Sequence, residues 1–170
     1  MGSAACDIMG SAESRQCTVY ITNNSTDYTL RSPSVHLLSG GCQTPLPAAL
    51  RPSESGSVLF SKTALTARGS VGVFTYNLYN EPANQAEKKV AVMFSVPFDY
   101  NLYSNWYAVG VFDSTMQCDN NLFQNMYREG ERAFTRGKAG HCLTYIDNQT
   151  VTIKATMTDT CQPTLTVDIE

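Results

Sequence analysis

From Cys17 onward, apolar and polar positions alternate in short runs, the period-two signature of half-buried β-strands. Residues 17–22 form the first run and end at the turn cluster Asn23-Asn24-Ser25. Residues 28–38 predict a second strand, and Pro33, which cannot donate to a ladder, assigns it to a sheet edge. Ser39-Gly40-Gly41 breaks that strand, and Pro45, Pro47 and Pro52 mark an irregular surface crossing. Strands are predicted over 57–61 and 70–76, a turn over 79–88, and a further pair over 89–94 and 108–112. After Phe112 the period changes. Asp119-Asn120 can cap a helix in which Leu122 and Met126, and Phe123 and Tyr127, stand four apart, and Gly130 can end it. Residues 132–140 read as a basic, glycine-containing loop, and the tail returns to strands over 142–146, 151–156 and 165–169. Residues 1–16 hold Gly2, Gly10 and little apolar content beyond Ile8 and Met9, a weak helix at best. Many short strands with turns between them and one or two short helices predict an all-β fold, a two-sheet β-sandwich over residues 17–170 preceded by a short N-terminal segment.

Composition narrows the function. Charged residues are 16% and hydrophobics 42% of the 170, the balance of a globular domain large enough for a proper core. The net charge of −3 argues against nucleic acid and against attraction to strongly anionic membranes, both of which require basic surface. A zwitterionic surface makes no such demand. Six widely spaced cysteines without a Cys-x-x-Cys pair, beside only two histidines, argue against zinc and are compatible with up to three disulfides. Residues 1–16 show no signal peptide, and Cys6 stands where a myristoylation motif requires Ser or Thr. Sequons occur at Asn23, Asn24 and Asn148. His141 and Cys142 are the only close Cys/His pair, and neighbours in a strand point to opposite faces, so no nucleophile–base pair and no enzyme is read here. No cofactor motif is present, and no stretch approaches the roughly 20 apolar residues of a spanning helix.

The connection after residue 94 carries Phe98, Tyr100, Leu102, Tyr103, Trp106 and Tyr107. A loop this apolar either folds back onto the core or meets a partner. Rings with polar tips suit a membrane–water interface, and their faces attract quaternary ammonium groups such as choline. The run Val92-Met93-Phe94-Ser95-Val96-Pro97-Phe98-Asp99-Tyr100-Asn101, followed by Tyr103-Ser104-Asn105-Trp106, resembles the signature segment of the actinoporins, the pore-forming cytolysins of sea anemones, and of their relatives in fishes. Weaker similarity extends from about Val19 to Thr156.

The resemblance implies a β-sandwich with flanking helices and a head-group pocket for phosphocholine lipids, sphingomyelin or phosphatidylcholine. Carried over by position, the pocket falls on Ser39, Ser95, Pro97, Tyr103 and Tyr127, with Val71 near a family valine. Phe123 stands where a tyrosine is usual and Arg128 where another is; Arg128 could pair with the phosphate or be an ordinary solvated charge. In the membrane-facing cluster of Leu102, Tyr103, Trp106 and Tyr107, Leu102 and Tyr107 replace tryptophans, which implies weaker anchoring. Arg136-Gly137-Lys138 sits where the family often has Arg-Gly-Asp. Actinoporins build their pore from a longer N-terminal helix. Sixteen residues reach only about 24 Å, against a hydrocarbon core of about 30 Å, so a weak pore former is expected. The expected partner is a zwitterionic membrane, on whose surface a homo-oligomer can form, and the expected location is secreted or membrane-associated. A lectin-like module that binds glycans is the alternative.

Overall fold

The computed structural model describes residues 15–128 and 133–170. The weak helix expected over residues 1–16 lies almost wholly outside them, as does Gly130. The described residues form two six-stranded sheets and one helix. One sheet contains β1 (Gln16–Asn23), β3 (Gly41–Cys42), β5 (Ser55–Ser61), β10 (Cys142–Ile146), β11 (Thr152–Met157) and β12 (Thr164–Ile169), in the order β10-β11-β12-β1-β5-β3. The other contains β2 (Tyr28–Ser39), β4 (Ala49–Leu50), β6 (Ser70–Asn80), β7 (Gln85–Val96), β8 (Trp106–Asp113) and β9 (Phe134–Lys138), in the order β4-β2-β6-β7-β8-β9. The pair β1–β12 is parallel and joins the two ends of the described chain. The expected two-sheet sandwich is therefore the fold.

Between the sheets lies one core. Val19, Ile21, Val58 and Phe60 meet Phe74, Tyr76, Val92, Phe94 and Val109, and Phe60 stacks on Phe94 with ring centroids 4.5 Å apart. A second, smaller core lies on the outer face of the second sheet, beneath helix α1 (Asn120–Tyr127). Its contributors are Val73, Ala91, Met93 and Ala108 from the strands and Leu122, Phe123 and Met126 from the helix. This explains why Val90 to Val96 is buried at every position rather than alternately. Even positions face the other sheet and odd positions face the helix. Asp119 caps α1 as its spacing predicts, its carboxylate accepting from Leu122 N at 3.0 Å. So short a helix is held by its three buried side chains.

Three expectations are corrected and a fourth is narrowed. Pro33 does not make β2 a bare edge: two-residue β4 flanks it, and the proline is absorbed where the β2–β6 register slips between Arg31 and Ser34, beside Ser32 at φ 51°. Residues 134–138 form strand β9, not a loop, because edge strands tolerate charged side chains and glycine. The 79–88 turn shrinks to residues 81–84, the flanking strands continuing to Asn80 and from Gln85. The range of up to three disulfides is narrowed to at most one, since Cys17, Cys42, Cys118 and Cys142 are free thiols. Burial pushes the Cys17 thiol well up, so it is inert in the core. Of the sequons, Asn23 is fully buried, and its amide donates to Tyr28 O at 2.8 Å and Leu50 O at 2.9 Å, which leaves no room for a glycan.

Candidate functional site

Register lays down the floor of the site. Ser39 pairs with Val71, Val71 with Ser95, and Ser95 with Trp106, so these four form one row across β2, β6, β7 and β8. A register shift between Leu37 and Ser39 ends the regular pairing at the β2 end of the row. β7 then stops at Val96, because Pro97 cannot continue the ladder. The chain leaves the sheet as the aromatic loop and returns at Trp106.

That loop is tightly built. Asp99 organises a turn in which its backbone carbonyl accepts from Tyr103 N at 3.0 Å and its carboxylate from Asn101 N at 2.9 Å. Asn105, almost fully buried, ties the far end down by donating to Thr160 O at 2.6 Å and accepting from the Tyr100 hydroxyl at 2.8 Å. At the near end the buried Arg15 guanidinium donates to Phe98 O at 2.7 Å and Pro97 O at 3.2 Å, and lies 5.2 Å and 5.0 Å from the ring centroids of Phe98 and Tyr100. Nothing local in the sequence marks Arg15. It stands before the first strand outside any motif, and its role comes from a contact 83 residues away.

Between this loop, the floor and α1 opens a cavity of about 450 Å³. That falls within the roughly 300–1,000 Å³ typical of small-ligand sites. Ser39, Val71, Ser95 and Pro97 line its base, Phe98, Asp99 and Tyr103 one wall, Phe123, Gln124 and Tyr127 another, and Leu38, Ala67, Arg68 and Gly69 a third. Phe123 and Tyr127 stack with centroids 5.6 Å apart and planes at 16°, presenting a flat aromatic wall. The Ser39 hydroxyl donates to Gly69 O at 2.9 Å, joining the floor to the third wall. Gly69 is required there: a Cβ would lie 1.9 Å from Val96 O, so any side chain pushes the 62–69 loop off the end of β7.

Seven of the eight pocket positions expected from sequence thus line one cavity, Tyr103 and Tyr127 among them. The exception is Arg128. It follows the last helical residue in an extended conformation, is exposed, and does not line the cavity. The cation that does line it is Arg68, and Asp99 brings a carboxylate, so the cavity carries both signs. Neither was expected from sequence, although Asp99-Tyr100-Asn101 has the composition of a side-chain-capped turn.

The membrane-facing cluster divides. Leu102, at 72%, and Tyr103, at 57%, are exposed. Trp106 is half-buried, with the Arg136 guanidinium 4.0 Å and the Lys138 ammonium 5.6 Å from its ring centroid. Tyr107 is not membrane-facing. β8 begins at Trp106, earlier than the alternation of 108–112 suggests, so Tyr107 joins Val109 on the inward face. It is fully buried there, its hydroxyl donating to His141 O and lying 3.2 Å from Ala155 O, and burial pushes the phenol up to about 12.

Comparison with known proteins decides the family. The model of the sea anemone cytotoxic protein family matches residues 5–170. The chain belongs to that family. Among the relatives of this actinoporin-family chain, bryoporin of Physcomitrium patens is 42% identical over 106 residues, which is 61% of this chain and 56% of bryoporin. DELTA-alicitoxin-Pse1b of Phyllodiscus semoni is 44% identical over 61 residues, 36% of this chain and 24% of the toxin. The deep-sea actinoporin Cjtox I of Cribrinopsis japonica is 30% identical over 94 residues, 55% of this chain and 40% of that protein. The aligned stretches thus span about half or less of these relatives' length. Among solved structures, the lipid-binding protein Nakanori superposes with a TM-score of 0.71 at 10% identity, over 99% of this chain and 76% of its own. The lectin XCL of Xerocomus chrysenteron superposes at 0.53, also at 10% identity, over 92% and 99%. Both show the sandwich fold. Among the described residues of this actinoporin-family chain, no helix is long and apolar enough to cross a membrane, and no group of three or more His, Cys, Asp or Glu could hold a metal ion.

Proposed function

We propose that this chain docks on membranes by taking a phosphocholine head group, of sphingomyelin or phosphatidylcholine, into the cavity between the aromatic loop and α1. The observation that carries the reading is the convergence of Ser95, Tyr103, Phe123 and Tyr127, drawn from three separate elements, on one cavity that also holds a cation and an anion. The aromatic faces suit a trimethylammonium group, with Asp99 as its counter-charge, and Arg68 and the serine hydroxyls suit the phosphate. Membership of a family of cytotoxic proteins supports a membrane target, and the lipid binding named for Nakanori is consistent with it.

Magnitude sets the mode of action. Each well-placed ring contributes about 0.5–2 kcal/mol to holding a quaternary ammonium. After the loss of translational freedom, a single free head group is held weakly. Docking that lasts therefore needs several occupied sites per particle, and homo-oligomers on the membrane supply them. Pore formation is a further step beyond this docking.

Sedimentation with vesicles of sphingomyelin and phosphatidylcholine tests the reading. The protein pellets with them, and millimolar phosphocholine returns it to the supernatant. Failure to pellet at any lipid composition, together with a specific hit on a glycan array, would contradict it. Release of an entrapped dye in the same samples separates docking alone from docking followed by a pore.

A further inference from the structure

The 62–69 loop carries a feature that neither the fold nor the cavity accounts for. Leu65 is 95% exposed, the most exposed large apolar side chain among the described residues. Its backbone lies at φ 62°, a left-handed conformation that suits glycine and is unfavourable for a bulky residue. Stability alone would favour a glycine or a polar residue at this position on both counts.

The loop's surroundings give that exposure a direction. At its start the Lys62 ammonium lies 5.7 Å from the Phe98 ring centroid and donates to Thr63 O at 3.1 Å, which holds the loop against the aromatic loop. At its end Arg68 and Gly69 line the cavity opposite Asp99 and Tyr103. The two loops are thus the two rims of one cavity, and each carries an exposed leucine, Leu65 on one and Leu102 on the other.

We infer that the 62–69 loop is a second membrane-contacting tip, with Leu65 entering the interfacial region of a zwitterionic bilayer beside the aromatic loop. The inference rests on the proposed head-group site, because a head group in the cavity brings the bilayer surface against both rims. The occupant is the lipid interface rather than a protein groove, since a single fully exposed leucine on a projecting turn offers no concave surface for a partner to fill. Removing water from a whole leucine side chain is worth roughly a tenfold change in partitioning. That is enough to matter in a protein whose Trp106 is half-buried, with the Arg136 guanidinium 4.0 Å from its ring centroid.

The test is vesicle partitioning of wild type, Leu65→Ser, Leu65→Gly, Leu65→Met and Ile146→Ser, on equal parts of phosphatidylcholine and sphingomyelin. Ile146 is the control, an exposed residue next to Tyr145, which neighbours Lys88 at the end of β7 remote from Ser95. Leu65→Ser and Leu65→Gly partition about tenfold more weakly, Leu65→Met within about twofold of wild type, and Ile146→Ser unchanged. Leu65→Gly also melts about 1–3 °C higher, because glycine relieves the left-handed backbone. A gain in stability with a loss of binding is a combination that a purely structural role for Leu65 does not give. If wild type binds and all Leu65 variants bind equally, the inference is overturned and the cavity reading stands; if wild type itself does not bind, both fall.

Discussion

Replacing Arg15 by alanine is expected to lower stability by about 3 kcal/mol, the largest effect of any single substitution outside the apolar cores. The guanidinium is buried and is shared between Pro97 O and Phe98 O, so its removal leaves one buried and one partly buried carbonyl without a charged donor. It also removes the cation between the Phe98 and Tyr100 rings. For a chain of this size the melting temperature should fall by roughly 6–12 °C. Amide exchange should speed up over residues 98–105 before it does in β7 or β8, since this side chain makes the hydrogen bonds that hold the near end of the loop. Arg15→Lys keeps the charge but not the planar fork, and should recover only part of the loss. A melting shift under about 2 °C for Arg15→Ala would show that the loop is held by Asp99 and Asn105 alone.

The second large effect belongs to the cavity walls. Truncating Tyr103 and Tyr127 together to alanine removes two rings that a quaternary ammonium would face, and should weaken vesicle binding by roughly tenfold to several-hundredfold. Stability should change little at Tyr103, which is exposed, and more at Tyr127, which stacks on Phe123. Tyr127→Phe therefore serves as the variant that preserves packing. It keeps the ring and should keep most of the binding. Loss of binding in Tyr127→Phe equal to that in Tyr127→Ala would assign the contribution to the hydroxyl and not to the aromatic face.

Much of this architecture is legible in the chain because it depends on local periodicity. Alternation marks β1, β5 and β12, and the Asp119 cap with its spacing of four marks α1. The uninterrupted apolar run of β7 is a local sign of burial on both faces, which required a helix on the outer side of the sheet. What failed depended on where a strand begins and on which distant segments meet. Extending the alternation of Val109 and Val111 back by one step would have turned Tyr107 inward; the aromatic composition around it hid the pattern. β9 was hidden because Arg136 and Lys138 are admissible only at an edge, and position in a sheet is not written in five residues. Arg15 and Arg68 were invisible for a plainer reason. The carbonyls that Arg15 meets lie 82 and 83 residues away at the end of β7, Arg68 is brought to the cavity only by the fold, and single arginines carry no spacing to read.

The cavity set was legible only through the family signature. Ser39, Val71 and Ser95 form one row by register, which no single-strand pattern supplies. Arg128 shows the limit of transfer by position: helix α1 ends at Tyr127, and one residue beyond it the chain has already left the wall.

The central claim, that the cavity between the aromatic loop and α1 holds a phosphocholine group, is tested most directly by titrating the isotope-labelled protein with phosphocholine and mapping the amide shifts. The account predicts saturable shifts confined to residues around Ser39, Arg68, Ser95, Asp99, Tyr103 and Tyr127, with β10 and β11 unmoved. Shifts centred elsewhere, or none at concentrations that displace the protein from vesicles, would contradict it.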